Sequence, residues 1–292
     1  MANVSKIYYG DSTNKAVQLY PEYIKVVPWA TGTDAEIKAL IDAADAGLID
    51  LYEDAGWRVG DERTVSLSAM NADNIVGEAH VAQDVVLVLM ANDTGTEDIT
   101  NPCYNYQYVT AKSGRSYPSF IVGQKNGLAN GTTGETGYMN STNTNSGSWN
   151  GCARRTWCNS TYKNAMPSVF VDIFKQVKVK TAETYNGTTI QESQDYFFLP
   201  AAKEVFGGTA TSAGDGTGYS NLTEYKALAQ WPYYATASNR IKYCGASGSA
   251  YSWWERSPLY DYASYFCLVR SDGTAGNSDA SNTRLIAPCG CI

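Results

Sequence analysis

Apolar and polar positions recur in short blocks along the chain, and the period of those blocks changes from place to place. Thr33 opens the clearest helix: Ile37, Leu40, Ile41 and Ala44 share one face, Glu36 stands three residues after the capping threonine, and Gly47 stops the run. Val65 to Met70 and Asp84 to Met90 read as strands, the second apolar enough to be buried. From Asn92 to Asn150 the pattern fades except for a strand at Ser119 to Val122, so this loop-dominated stretch with few prolines must be held by side-chain hydrogen bonds. Helical spacing returns from Thr156 through Trp157 and Tyr162 to Ala165, and Pro167 starts a second stretch with Val169, Phe170, Ile173 and Phe174 facing inward.

Lys175 to Lys180 alternates as a strand, Tyr196 to Leu199 is a shorter one, and Ala201 to Phe206 makes a turn or two of helix. Gly207 to Gly218 reads as a loop and Thr223 to Gln230 as a short capped helix. Trp253 and Trp254 sit on a strand, Tyr265 to Arg270 alternates as the next, Ser271-Asp-Gly273 turns, and Arg284 to Ile292 closes as the last. Residues 1–25, with short strands at Ile7-Tyr8-Tyr9 and Val17 to Tyr20, read as an arm or attachment segment. With no internal repeat or linker beyond it, residues 26–292 are expected to form one α+β domain with much irregular loop.

Composition narrows the classes. A net charge of −7 and a pI near 4.8 argue against a nucleic-acid partner, which needs clustered basic surface. The strongest apolar run, Val85 to Ala91, is too short to span a bilayer, and the N-terminus carries no secretory signal pattern. The 22 Tyr and 7 Trp suit a protein whose loops make contacts.

Catalytic chemistry finds little support. The single His80 has no nameable partners for a triad or metal cluster. Gly214-Asp-Gly-Thr-Gly218 lacks the lysine and the strand-to-helix setting of a phosphate loop, and Ser160-Thr-Tyr-Lys163 lacks the companion motifs of the hydrolases that share its spacing. Asp272, Asn277, Asp279 and Asn282 offer hard oxygens for Ca²⁺, but Asp272-Gly273 is first of all a hairpin turn, so no metal and no cofactor are expected. Cys289-Gly-Cys291, with Cys267, is the one group with thiolate potential, and buried small hydrophobes are the expected role. Arg154, Arg155, Arg240 and Lys242 stand among aromatics, where stacking within the fold is commoner than holding a ligand carboxylate.

The tail stands apart. Residues 1–256 contain 13 Lys, 12 Glu, 8 Gln, 5 Met and 7 Trp, so a 36-residue window should carry about six of these types by composition alone, yet Ser257 to Ile292 carries none. Immediately before it, Trp253-Trp254-Glu255-Arg256 offers a rigid anchor in which Arg256 braces neighbouring loops.

Several motifs in order, Gly147-Ser-Trp-Asn-Gly151, Arg154-Arg-Thr-Trp-Cys-Asn159, Tyr196-Phe-Phe-Leu-Pro-Ala-Ala-Lys-Glu-Val-Phe-Gly207, Tyr251-Ser-Trp-Trp-Glu-Arg-Ser-Pro258, Ser271-Asp-Gly273 and the final Arg284-to-Ile292 segment, resemble the DUF6273 family. Trp29 to Met70 and Phe120 to Asn126 are similar to its longer phage versions. Glu255 departs from the more usual Leu, and Leu285-Ile-Ala-Pro-Cys-Gly-Cys291 from the commoner ending. The family is similar to the C-type lectin fold, which is used by variable proteins of diversity-generating retroelements such as the phage major tropism determinant. In such systems, randomising the first two bases of an Asn codon gives every residue type except Lys, Glu, Gln, Met and Trp.

The resemblance therefore implies a non-enzymatic phage or prophage receptor-binding protein, synthesised in the bacterial cytoplasm and carried on the virion at a tail or fibre tip. Residues 257–292 would be its diversified region. Leu259, Tyr260, Asp261, Tyr262, Ser264, Leu268, Arg270, Thr274, Gly276, Ser278, Asp279, Leu285 and Ile286 are expected to face a bacterial surface protein or glycan. Trp253, Trp254 and Arg256 are the expected scaffold anchor, with Phe266 and Val269 as framework. The arm would join other virion proteins in a homo-oligomeric assembly, without membrane insertion. Two alternatives stand beside this reading: an enzyme of the formylglycine-generating-like branch using Cys289 and Cys291, and a purely structural virion component.

Overall fold

Thr33 caps α1 (Asp34–Asp45) through the reciprocal bonds the sequence predicts. Its Oγ1 accepts the Glu36 amide at 3.3 Å and Glu36 Oε2 accepts the Thr33 amide at 2.9 Å, a cap worth about 1 kcal/mol. Lys25 Nζ donates to Glu36 at 2.5 Å, and this bond together with the Thr33 cap holds the Glu36 carboxyl down at about 2. Ile37, Leu40 and Ile41 are fully buried against the core, and Gly47 turns the chain out of the helix at φ +73°.

The computed structural model describes residues 24–92, 106–112, 117–129, 137–183, 189–207, 229–245 and 248–292. Its other helices are α2 (Ala153–Trp157), α3 (Lys163–Ala165), α4 (Ser168–Ile173), α5 (Ala202–Phe206) and α6 (Pro232–Ala235). Its strands are β1 (Glu62–Leu67), β2 (Gln83–Asn92), β3 (Phe120–Gln124), β4 (Val177–Ala182), β5 (Ile190–Asp195), β6 (Phe197–Phe198), β7 (Lys242–Tyr243), β8 (Ala250–Tyr251), β9 (Trp253–Pro258), β10 (Tyr265–Val269), β11 (Ala275–Asp279) and β12 (Cys289–Cys291). The architecture is a mixed one of several small antiparallel sheets and few helices. The strands expected at 7–9 and 17–20, the loop at 208–218 and all but the end of the helix expected at 223–230 lie outside the described residues. No helix among the described residues is long and apolar enough to cross a membrane.

The main sheet runs β1-β2-β3-β12-β6, every pair antiparallel. Its pattern explains its place. β3 is wholly buried and β2 is buried from Leu87 to Ala91, whereas β1 alternates exposed and buried residues as an outer strand does. The C-terminal Cys-Gly-Cys strand inserts between β3 and β6, with Cys289 opposite both Gly123 and Phe198. Only small residues fit there: a Cβ on Gly123 would lie 2.6 Å from Cys289 Sγ, and one on Gly290 2.6 Å from the Phe174 ring. The strand expected from Arg284 onward is thus confined to Cys289–Cys291, with Arg284 and Leu285 making single bridges to Gly137 and Trp253.

The second sheet, β11-β10-β9, is built entirely from the C-terminal 40 residues. Two hairpins, β4–β5 and β7–β8, complete the strands. The helical run expected from Thr156 begins earlier, at Ala153, and passes through one wide π-turn at Cys158–Tyr162 before α3.

Candidate functional site

Three buried charge knots tie this scaffold together. The Asp195 carboxylate, fully buried at the end of β5, accepts Trp149 Nε1 at 2.9 Å, Arg155 Nε at 2.7 Å, Ser193 Oγ at 2.6 Å and Asn159 Nδ2 at 3.1 Å. Asn159 continues the clamp, for its Oδ1 accepts the Tyr196 amide at 2.7 Å and its Nδ2 donates to Phe197 O at 2.9 Å. Its position in the π-turn lets one side chain join the helix to β6. Arg154 grips Glu78 with both guanidinium arms and donates to Tyr138 O, stacked 4.8 Å from the Trp157 ring. Burial works against the charge on Glu78, but His80 and Arg154 hold its pKa below the usual value.

The third knot is Arg256. It donates to Glu204 at 2.7 and 3.0 Å, to Leu199 O at 2.8 Å, to Lys180 O at 3.1 Å and to Thr181 Oγ1 at 3.1 Å. Tyr106 OH completes the knot by donating to Glu204. Four segments meet here, because Arg256 ties β9 to β4, to Leu199 after β6 and, through Glu204, to α5 and Tyr106. Trp253 and Trp254 are both fully buried, their indole N–H groups donating to Arg240 O at 2.7 Å and Gly137 O at 2.8 Å.

The groups with catalytic potential are occupied or sealed. Cys289 is buried, and burial pushes its thiol up to about 12 with Lys242 opposing, which favours the protonated thiol at neutral pH. Ser160 Oγ donates to Thr156 O at 2.7 Å within its own helix. His80 Nδ1 lies 3.2 Å from Ala129 O inside the core. Lys242 Nζ donates to Gln124 O at 2.6 Å and Lys125 O at 3.1 Å, and Arg240 Nε to Tyr234 O at 2.9 Å. Among the described residues no group of three His, Cys, Asp or Glu side chains is placed to hold a metal ion. Of the hard oxygens that a Ca²⁺ ion could have used, Asp272 accepts the Thr274 amide and hydroxyl, while Asp279 accepts Asn143 Nδ2 at 2.6 Å.

The tail residues expected to face a target divide sharply. Leu259, Leu268, Gly276, Ser278, Leu285 and Ile286 are buried. The expectation, which rested on the family resemblance, is corrected for these six: β10 and the 285–292 segment are covered on both faces, Leu259 packs with Ala202 and Cys267, and Gly276 and Ser278 lie on the covered part of β11. Phe266 and Val269 are fully buried, as framework should be. Asp261, Tyr262, Arg270 and Thr274 are exposed, and Tyr260, Ser264 and Asp279 are partly so. These do not form one face. In the antiparallel register Tyr265 opposes Asp279 and Val269 opposes Ala275, which puts residues 260–264 and 279–283 at one end of the sheet and the Arg270–Thr274 turn at the other, about 15 Å apart.

The first end is the better-built surface. Tyr262, 57 % exposed, stacks on Tyr265 with ring centroids 5.3 Å apart and planes 19° from parallel. Tyr265 in turn packs on Leu259, Ala202 and Cys267. A residue the sequence left unmarked holds the loop in shape: Asn145, fully buried, donates its Nδ2 to Tyr262 O at 2.8 Å and Tyr265 O at 2.9 Å, and its amide to Ala263 O at 2.8 Å. Residues 141–143, exposed beside it, join Asp279 through Asn143. The only signal for Asn145 was general, the need of a proline-poor loop for side-chain bonds.

A family model described as a domain of unknown function, DUF6273, matches residues 121–292. The chain belongs to the DUF6273 family. No curated protein and no solved structure matches the chain. The DUF6273 region takes in β3 through β12, the Asp195 and Arg256 knots and both ends of the C-terminal sheet, while α1, β1 and β2 precede it. Trp149, Arg154, Trp157, Trp253, Trp254 and Arg256, drawn from the motifs that carry the family likeness, are all fully buried. These six residues of the motifs belong to the core scaffold, and the surface loop at 260–264 lies outside the motifs.

Proposed function

We propose that this is a non-enzymatic receptor-binding protein of a phage or prophage with a C-type lectin-like fold, attaching to a bacterial surface protein or glycan through the end of the C-terminal sheet. The binding surface is made by residues 260–264, 279–283 and 141–143. The observation that carries this reading is the contrast at Ser257–Pro258: a densely bonded core strand leads directly into a pinned, exposed loop, Tyr260-Asp-Tyr-Ala-Ser264, whose composition is that of a paratope. Attachment to the virion is assigned to residues 1–25, and several copies acting together would raise weak single-site affinity.

Burial sharpens the diversification part of the proposal. More than half of Ser257 to Ile292 is buried, and the lack of Lys, Glu and Gln at such positions follows from burial alone. What the compositional gap has to explain is therefore confined to solvent-facing codons. Sequencing the gene across sibling isolates tests this directly. Replacements should concentrate at the exposed and half-exposed positions 260–264, 270, 274, 279 and 281–283 and spare 253–259, 266–269, 273, 280 and 285–292. Replacements spread evenly along the chain, or silent in the tail, would remove retroelement diversification from the account.

A further inference from the structure

We infer that the surface at 260–264 binds a glycan, with the outer face of Tyr262 as the platform for a sugar ring. The inference rests on the attachment reading above and narrows its ligand to one class. Among the described residues, the large apolar side chains left exposed are Leu48, Val81, Tyr243 and Tyr262, so only Tyr262 belongs to this end of the sheet. A protein partner needs a desolvated cluster of apolar or aromatic anchors. A single ring fenced by hydroxyls, carboxamides and carboxylates does not supply one. It does match a pyranose, which offers one apolar C–H face to an aromatic ring and hydroxyls around its edge to polar groups.

The platform is rigid before any ligand arrives. Tyr262 rests on Tyr265, Tyr265 rests on the core, and Asn145 fixes both of their carbonyls. Little conformational freedom is then lost on binding, which matters for a ligand whose individual contacts are weak. Around the ring, Asp261 and Ser264 stand on the same loop, and Asn143 and Asp279 sit beside it as a bonded pair. That pair is bonded to itself, so recognition here runs through the ring and through Asp261 and Ser264 on its own loop.

The test is an array printed with polysaccharides and, separately, with envelope proteins from a panel of bacteria, probed with the full chain. Binding is expected at polysaccharide spots and should disappear after periodate oxidation of the sugars. Tyr262→Ala should weaken it about ten-fold or more, Tyr262→Phe should keep it because the ring face is retained, and Tyr243→Ala, at a comparably exposed tyrosine, should leave it unchanged. Binding confined to the envelope-protein spots would overturn the glycan inference while leaving attachment standing. Periodate-sensitive binding that survives Tyr262→Ala would overturn the platform, and binding to neither class would overturn both readings.

Discussion

Arg256 and Tyr262 stand six residues apart and obey opposite rules. Arg256 is fully buried, its guanidinium divided among a carboxylate, two carbonyls and a hydroxyl, so nearly any replacement leaves a buried charge or polar atom without its partner. Tyr262 is mostly exposed, and its side chain touches one other ring. The backbone beneath it is as firmly held as that of Arg256, through Asn145. A fixed backbone with replaceable side chains is the arrangement that lets a surface change its chemistry without changing its shape.

Substitutions at three residues would break or sharpen this contrast. Arg256→Ala strands Glu204 in the core and is expected to cost about 3–5 kcal/mol in denaturant unfolding. Arg256→Lys should recover little of that, because an ammonium cannot reach the same set of acceptors. Lys242 supplies a pH-dependent case. Burial lowers its pKa to about 8 from 10.5, opposed by Cys289. The unfolded chain therefore binds the extra proton between those values, and the lysine's contribution to stability rises with pH across that window. Relative to Lys242→Met, the wild-type protein should gain about 2 kcal/mol between pH 7 and pH 10, measured as the difference of their unfolding free energies. A flat or falling difference would mean that Lys242 is not buried as described. Asn145→Ala should cost about 2 kcal/mol, with faster amide hydrogen exchange confined to residues 259–265 and 280, and binding lost along with the loop's shape.

The sequence was most readable where one local rule decides the outcome. The Thr33–Glu36 cap and the apolar stripe of α1 need no distant partner, and β2 and β3 are apolar enough to be buried in any fold. β5 and β11 were missed because Ile190-Gln-Glu-Ser-Gln-Asp195 and Ala275-Gly-Asn-Ser-Asp279 lack strand composition and depend on β4 and β10 for their pairing. Asp195 was silent for a related reason: Trp149, Arg155 and Asn159 lie 36 to 46 residues away in sequence, and only the fold brings them to one carboxylate. The candidate surface was legible as a region and misread in detail. The exposed loop lies within the compositionally distinct tail, but the resemblance placed Leu268, Leu285 and Ile286 outward where the fold buries them.

Attachment itself is measured by adsorption of the purified full chain to bacterial cells, comparing the wild-type protein with a triple variant, Asp261→Ala, Tyr262→Ala and Ser264→Ala. The wild type should bind saturably, and the variant should lose about ten-fold or more of its affinity with its unfolding midpoint unchanged. Equal binding by the two, or no saturable binding by the wild type to any cell of the panel, would contradict a receptor-binding surface at this end of the sheet.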